Sequence, residues 1–382
     1  MLLKELYHKI KTEYPIKVLA GEDGMLKHVQ WVHIIEDLEV TTFIHGNELI
    51  FTTGIANEGE QWILDFVKGL YENQACGVVI NLGPYLQDVP ESVVKFCKEH
   101  RFSLMTIPWE VRLVDVTKNI SGLLLDQEKR KASIINAMKD AIFYASGNST
   151  YQTHLKRYGF YLKRNFCPIL LKTDMKALTQ EKREQLLDTF ENVLGFYLPK
   201  TVVFKFNQYI VIVVYNLEKE GIEQCMEKIK EFQRQYKQFA IETIAAGPNE
   251  AGVENLAKSY QSARSMIRLA FTQKKKQLIY DDMGIYQLLL TNPDKSALHK
   301  YYENTLGKIQ AYDKANGTDY FRILKVYMET DCSVQETAKI EFCHRNTINQ
   351  RIHKIREILG RENIGIHDKV EIMMAYAIYE LL

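Results

Sequence analysis

The stretch "DCSVQETAKIEFCHRNTINQRIHKIREILG" covers residues 331–360, and its reading decides the C-terminal architecture. Ser333 followed by Glu336 has capping-box spacing, in which a hydroxyl accepts from an early helical N–H and a carboxylate reaches back to the cap. A helix is expected from Val334, with Val334, Thr337, Ala338 and Ile340 facing inward. Ala338 is small enough for a second helix to cross closely. The chain then turns through Phe342, Cys343 and His344. On the following helix Ile348, Ile352, Ile355 and Leu359 fall at helical spacing and make one apolar stripe. Asn346, Gln350 and His353 lie opposite that stripe, with Asn349 beside them. Arg345, Arg351, Lys354 and Arg356 lie on the flanks. Two readings stand. One is a helix-turn-helix, whose amides bond adenine edges in the major groove while flanking cations touch phosphates. The other is an ordinary surface helix with an excess of Lys and Arg.

Working outward, every periodic segment from residue 297 onward is helical. "HDKVEIMMAYAIYELL" (367–382) has Asp368 as its expected cap. Val370, Met373, Met374, Ala377, Ile378 and Leu381 form a wide apolar stripe, most of it for the helix-turn-helix core and some for a subunit contact. Residues 291–300 read as a polar linker containing Pro293.

The middle of the chain mixes strands and helices. "FCPILLKTD" (166–174) reads as a strand, and "TVVFKFNQYIVIVVYN" (201–216) as two strands around a turn near Asn207 and Gln208. "AIETIAAG" (240–247) is another strand. Helical stretches fill 180–194, 218–238 and 250–272. The pattern predicts an α+β domain with an antiparallel hairpin.

Towards the N-terminus, 1–14 reads as a short helix. "ELIFTTG" (48–54), "GVVINLG" (77–83) and "FSLMTIP" (102–108) read as strands. Helices are expected over 58–74 and 90–100, the latter opening on Pro90. The order β-α-β-α-β predicts a parallel, helix-covered sheet. Residues 111–145 form one long helix or two short ones, with the charged stretch "DQEKRK" (126–131) inside. "SGNST" (146–150) is loop chemistry and marks the first domain boundary.

Composition bounds the function. The chain has 382 residues, 46% hydrophobic and 25% charged, with net charge +1. That suits two or three globular domains. Any polyanion site must be a local patch. Six scattered cysteines without a C-x-x-C pair make neither a zinc site nor a disulfide framework, and fit a reducing cytosol. The N-terminus lacks a signal-peptide core, and no stretch approaches the ~18 apolar residues of a membrane span. A cytoplasmic protein without a membrane partner is expected.

The residues from Tyr312 to Ile355 closely resemble the C-terminal signature of the PucR-type (purine catabolism regulator) transcription factors: Tyr312-Asp313, Thr337-Ala338 and His344 to Thr347. "VQWVHIIEDLEVTTFIHGNELIFTTG" resembles that family's sensor domain, through Gly46, Glu48, Leu49 and Thr52 to Gly54. The middle segment resembles its degenerate GGDEF-like domain. The family often has basic and aromatic residues after Thr347, where this chain has Asn349 and Gln350, and usually Leu at Ile340. The first departure bears on operator sequence. The resemblance implies a sensor domain over 1–125, a helical linker over 126–150, a GGDEF-like domain over 151–290 and an all-α helix-turn-helix domain over 297–382. It implies an operator of double-stranded DNA, a small-molecule effector of purine type or another nutrient, and a homodimer or higher homo-oligomer. The expected DNA contacts are His344, Arg345, Asn346, Thr347, Asn349, Gln350, Arg351 and Lys354.

A diguanylate cyclase needs acidic residues on its hairpin turn to hold Mg²⁺, a hard cation that takes carboxylate oxygens. Here the turn reads Phe204 to Tyr209 without Asp, Glu or a glycine pair, and Asp174 has no acidic partner there. No catalytic residue, metal or cofactor is assigned, and the rigid or dimerising spacer is favoured over nucleotide turnover. Nucleotide binding or catalysis in the central domain stays as the alternative. Ligands of helix-covered parallel sheets sit beyond the carboxyl ends of the strands. Those ends supply Thr52, Thr53, Gly54, Asn81, Gly83 and Trp109, a set suited to a flat, nitrogen-rich metabolite. Turn chemistry and a core-capping Trp109 are the plainer reading. His28, His33 and His45 lack metal-site spacing.

Overall fold

In the computed structural model all residues are described except 145–149, 175–177, 199 and 293. The expected boundary at 146–150 therefore falls largely outside the described residues, as does Pro293. The chain divides into two compact units, Met1–Ser133 and Ile134–Leu382.

In the first unit α1 (Leu3–Ile10) turns Leu3, Leu6 and Ile10 into the core. Then come β1 (Lys17–Ala20), β2 (Trp31–Ile34), β3 (Glu48–Thr52), α2 (Glu60–Glu72), β4 (Gly77–Leu82), α3 (Glu91–Glu99) and β5 (Ser103–Pro108). The sheet order is β1-β5-β4-β3-β2. Strands β2 to β5 pair in parallel, and β1 runs antiparallel against β5. The sheet is thus mixed at one edge, where a parallel sheet was expected. Strand β1 has only four residues, of which Ala20 alone is fully buried, too short a run to announce an edge strand. Strands β3, β4 and β5 are buried almost throughout, as strands covered on both faces must be.

Helix α4 (Leu113–Phe143) is continuous over 31 residues, which settles the choice between one helix and two. Its Val116, Ile120 and Leu124 join the core of the first unit. Its Ala137, Met138, Ala141 and Ile142 join a core of the second. The charged stretch 126–131 between them is exposed.

The second unit continues with α5 (Thr150–Arg157), β6 (Asn165–Asp174), α6 (Gln180–Tyr197), β7 (Val202–Phe206), β8 (Tyr209–Tyr215), α7 (Lys219–Gln235), β9 (Ala240–Ala246), β10 (Glu250–Ala251), α8 (Leu256–Thr272) and β11 (Gln277–Ile279). The order is β11-β9-β6-β8-β7, with β10 also on β6. Strand β6 is antiparallel to β8 and β9, and β7–β8 is the expected hairpin. The stretch 250–272 is not one helix. Gly252, at φ 96°, breaks it, so β10 and a short 3₁₀ turn precede α8.

The chain ends in α9 (Tyr286–Thr291), α10 (Lys295–Tyr302), α11 (Lys308–Asn316), α12 (Tyr320–Glu329), α13 (Val334–Ile340), α14 (Arg345–Leu359) and α15 (Ile366–Leu381). The expected linker at 291–300 is mostly helical. Asp294 caps α10 by accepting from the Ala297 N–H at 2.8 Å. Asp368 acts one turn inside α15, accepting from the Gly365 N–H at 2.7 Å. The buried face of α15 is Ile372, Ala375, Tyr376, Ala377 and Ile378, whereas Val370 and Met373 are exposed. The expected stripe is rotated because Tyr376 turns inward, its hydroxyl donating to Phe321 O at 2.7 Å. No helix among the described residues is long and apolar enough to cross a membrane.

One carboxylate ties the terminal helices to α8. Glu380 Oε2 accepts from Tyr286 Oη (2.6 Å) and Gln273 Nε2 (2.9 Å), and Oε1 accepts from Lys325 Nζ (2.6 Å). Burial pushes its pKa up, but the bonds from Gln273, Lys325 and Tyr286 outweigh that and hold it below the ordinary value. A carboxyl with a lowered folded-state pKa stabilises fully above its unfolded value, about 4.3, and loses that contribution as pH falls through the folded value. Glu380→Gln is expected to cost about 1–3 kcal/mol at pH 7. It should also flatten the loss of stability below about pH 4, as read from urea unfolding over a pH series. An unchanged acid limb would show that this carboxylate carries no linkage.

Candidate nucleic-acid interface

Asp313 fixes the start of α12. Its Oδ2 accepts from the Phe321 N–H (2.8 Å), and its Oδ1 accepts from the Tyr320 N–H (2.9 Å) and Thr318 Oγ1 (2.5 Å). Tyr312 stacks on Tyr320, centroids 5.7 Å apart. The Tyr-Asp pair is thereby a helix anchor.

Helix α12 positions α13. Thr337 is fully buried; its hydroxyl meets Thr330 Oγ1 at 2.8 Å and donates to Ser333 O at 2.8 Å. Only half of the expected capping box forms. Ser333 Oγ accepts from the Glu336 N–H (3.3 Å). The Ser333 N–H is already taken by Thr330 O, so the Glu336 carboxylate pairs with Lys339 at 2.7 Å instead. Ile340, expected to face inward, is 51% exposed. The anchor at this end of α13 is Glu341, whose side chain is 2% exposed. It takes both guanidinium nitrogens of Arg322, at 2.7 and 2.5 Å.

Helix α14 follows a tight turn. His344 is its N-cap, with Nδ1 accepting from the Asn346 N–H at 3.2 Å. Ile348, Ile352 and Ile355 are buried, and Leu359 is partly buried. Opposite them Arg345, Asn346, Asn349, Gln350 and His353 are exposed, and Thr347 and Arg351 are half-buried. One face thus presents amides and a guanidinium while its back is locked into the core. Two expected flank cations differ. Lys354 Nζ sits 2.7 Å from Glu357 Oε2, an acid just beyond the basic run. That hydrogen bond holds the Lys354 pKa above its ordinary value and the Glu357 carboxyl below. Arg356 turns inward, with a buried Nε that has no hydrogen-bond partner among the described residues.

At the strand ends of the first unit, Thr52, Thr53, Gly54 and Asn81 of the expected ligand groups are already hydrogen-bonded within the protein. Thr52 Oγ1 donates to Glu36 Oε2 (2.9 Å), and Thr53 Oγ1 donates to Glu36 Oε1 (2.9 Å). The Thr53 N–H donates to both carboxylate oxygens (2.9 and 3.1 Å), and the Gly54 N–H to Thr52 Oγ1 (3.1 Å). Asn81 Nδ2 donates to Ile107 O (3.3 Å) and Pro108 O (2.8 Å). A Cβ on Gly83 would lie 2.4 Å from the Trp109 ring, so only glycine lets the indole, itself 41% exposed, settle there. Glu36 is the group that sequence reading missed. Strand β2 is too short to announce that its end lies beside Thr52 and Thr53.

The model of the purine catabolism regulatory protein-like family matches residues 6–124, a GGDEF-like domain matches 146–269, and a PucR C-terminal helix-turn-helix domain matches 320–378. Three relatives come from Bacillus subtilis. The purine catabolism regulatory protein is 23% identical over 219 residues, 55% of this chain and 41% of that one. The DNA-binding transcriptional activator AdeR is 27% identical over 207 residues, 52% of this chain and 48% of that one. The proline-responsive transcriptional activator PutR is 30% identical over 106 residues, 27% and 26% respectively. The matched region thus spans less than half the length of each relative.

Arg322→Ala would leave the buried Glu341 carboxylate without its counter-charge. We expect a loss of about 1–3 kcal/mol in unfolding free energy, read by urea denaturation. Arg322→Ala with Glu341→Leu should recover most of it. Wild-type stability of the single variant would show that the pair does not anchor α13.

Proposed function

By its three successive domains the chain belongs to the PucR family, and from that premise we propose that it is a cytoplasmic, sequence-specific DNA-binding transcriptional regulator. Its parts are a sensor domain over 1–125, a helical linker over 126–150, a GGDEF-like domain over 151–290 and a helix-turn-helix domain over 297–382. The observation that carries this is the exposed Arg345, Asn346, Asn349 and Gln350 face of α14, opposite three buried isoleucines. Its partner is a double-stranded operator. His344, Thr347, Arg351 and Lys354 complete the contact set, with Lys354 shared with Glu357. The regulator works as a homodimer, because one module buries little surface and two half-sites add affinity. The central domain is a spacer and the chain is not an enzyme. In support, the β7–β8 turn offers Asn207 and Gln208 where a magnesium site would want carboxylates.

The effector is a small nitrogen-rich metabolite bound at the carboxyl ends of β3, β4 and β5. Thr52, Thr53, Gly54, Asn81, Gly83 and Trp109 line that end, and Glu36 adds an acceptor for ligand N–H groups. A ligand there would compete with Thr53 for the carboxylate. Purines are the first class to try, given the names of the family and of one relative. Another relative is named for proline, so amino acids are the second class.

Arg345→Ala and Arg351→Ala are expected to weaken binding to all duplexes and lower the salt slope by about one each. Asn349→Ala or Gln350→Ala should change base preference, by about 1–3 kcal/mol per lost bidentate pair. Fluorescence anisotropy over a salt series, with duplexes selected from a random library, measures both. Wild-type behaviour of all four variants would end the recognition-helix assignment. For the sensor, a thermal-shift screen of purine-pathway and amino-acid metabolites should yield a stabilising ligand whose effect Glu36→Gln removes. Retention of the full shift in Glu36→Gln would exclude this carboxylate. Conversion of GTP with Mg²⁺ to a new product would overturn the spacer role.

A further inference from the structure

Helix α13 ends in a Schellman motif. The Cys343 N–H donates to Ala338 O (3.0 Å) and the Phe342 N–H to Lys339 O (3.3 Å). Phe342 occupies the left-handed position at φ 48°. Glycine is the usual occupant, because a Cβ is strained there. This domain uses glycine where α11 and α14 end, at Gly317 (φ 63°) and Gly360 (φ 67°). Among the described residues with positive φ, Phe342 is the only aromatic.

The ring gains nothing from the fold in return. It is 96% exposed, the most exposed large hydrophobic side chain among the described residues. It borders a shallow concavity lined also by Gln335, Lys339, His344 and Arg345. That lining holds no acid. Lys339 is paired with Glu336, whereas Arg345 has no carboxylate partner among the described residues. A strained, solvent-facing aromatic ring thus stands two residues ahead of the N-cap of the helix assigned to the operator.

We infer that Phe342 is a specificity contact that seats its ring on a thymine methyl group in the major groove, beside the bases read by α14. This rests on the DNA-binding reading above. Residues at the start of a recognition helix come nearest to base edges, so the ring travels into the groove with Arg345. The one apolar group displayed on that edge is the thymine C5-methyl. The adjacent cation and the acid-free lining favour a polyanion over an apolar protein surface as the occupant.

The test uses the full chain and a duplex selected by it from a random library. Phe342→Gly removes the ring and suits the backbone. Its melting temperature should equal or exceed the wild-type value, while affinity falls roughly three- to tenfold. Replacing thymines one at a time by deoxyuridine should weaken wild-type binding at one position and leave Phe342→Gly indifferent there. Phe342→Asn, also tolerant of left-handed backbone, should behave as the glycine variant does. Wild-type affinity in both variants, with Arg345→Ala weakened, would overturn the contact and keep the DNA reading. Equal losses on selected and scrambled duplexes would also overturn it. A loss confined to a protein–protein readout, with DNA affinity intact, would assign the ring to a partner protein. Unchanged affinity in Arg345→Ala as well would sink the DNA reading itself.

Discussion

Burial of Ile348, Ile352 and Ile355 is the constraint on which the C-terminal domain depends. Each isoleucine removed from water is worth about 1.5–3 kcal/mol. Three on one stripe leave α14 a single rotational setting. That setting puts Arg345, Asn346, Asn349 and Gln350 in solvent. The polar face needs no device of its own, because it is whatever the apolar stripe does not use. What does need a device is the axial position and tilt of the pair α13–α14. Asp313, Thr337 and the Arg322–Glu341 bridge supply it from three sides. All three are buried or capping polar contacts, which are directional where apolar burial is not.

Much of this was legible in sequence, since the helix period and a Ser cap are local signals. The isoleucine stripe, the start of α13 at Val334 and the β7–β8 hairpin follow from spacing alone. Other features depended on partners distant in the chain. The inward turn of Arg356, the exposure of Ile340 and the rotation of α15 are each decided by what lies across the core, such as Phe321 against Tyr376. The half-formed capping box has a closer cause. The Ser333 N–H bonds Thr330 through the turn formed by Asp331 and Cys332, both at positive φ. A motif search cannot see that competitor.

The N-terminal unit shows the same division. Glycines and β-branched runs located β3, β4 and β5, and hence the edge where their polar residues gather. Those residues turned out to be occupied. Thr52, Thr53 and Asn81 spend their donors on Glu36 and on the carbonyls of Ile107 and Pro108. A ligand proposed for that edge would bind only by exchange, so its affinity would reflect a difference between two sets of hydrogen bonds. Glu36 is the one member whose loss of internal partners would leave a charge exposed to the incoming molecule. In the proposed effector site it is therefore the group that would tell a cationic or N–H-rich ligand from an acidic one.

Electrostatics set how the interface can work. A net charge of +1 gives no long-range pull toward a polyanion. Within α14 itself, Glu357 offsets Lys354. If α14 meets a duplex as proposed, only a few guanidinium groups are then available for phosphates, and non-specific affinity would be correspondingly low. On the proposed reading, such a protein would draw its discrimination from contacts to base edges. That is consistent with the amide-rich face of α14, and it gives a physical reason to keep a strained phenylalanine at the mouth of the turn.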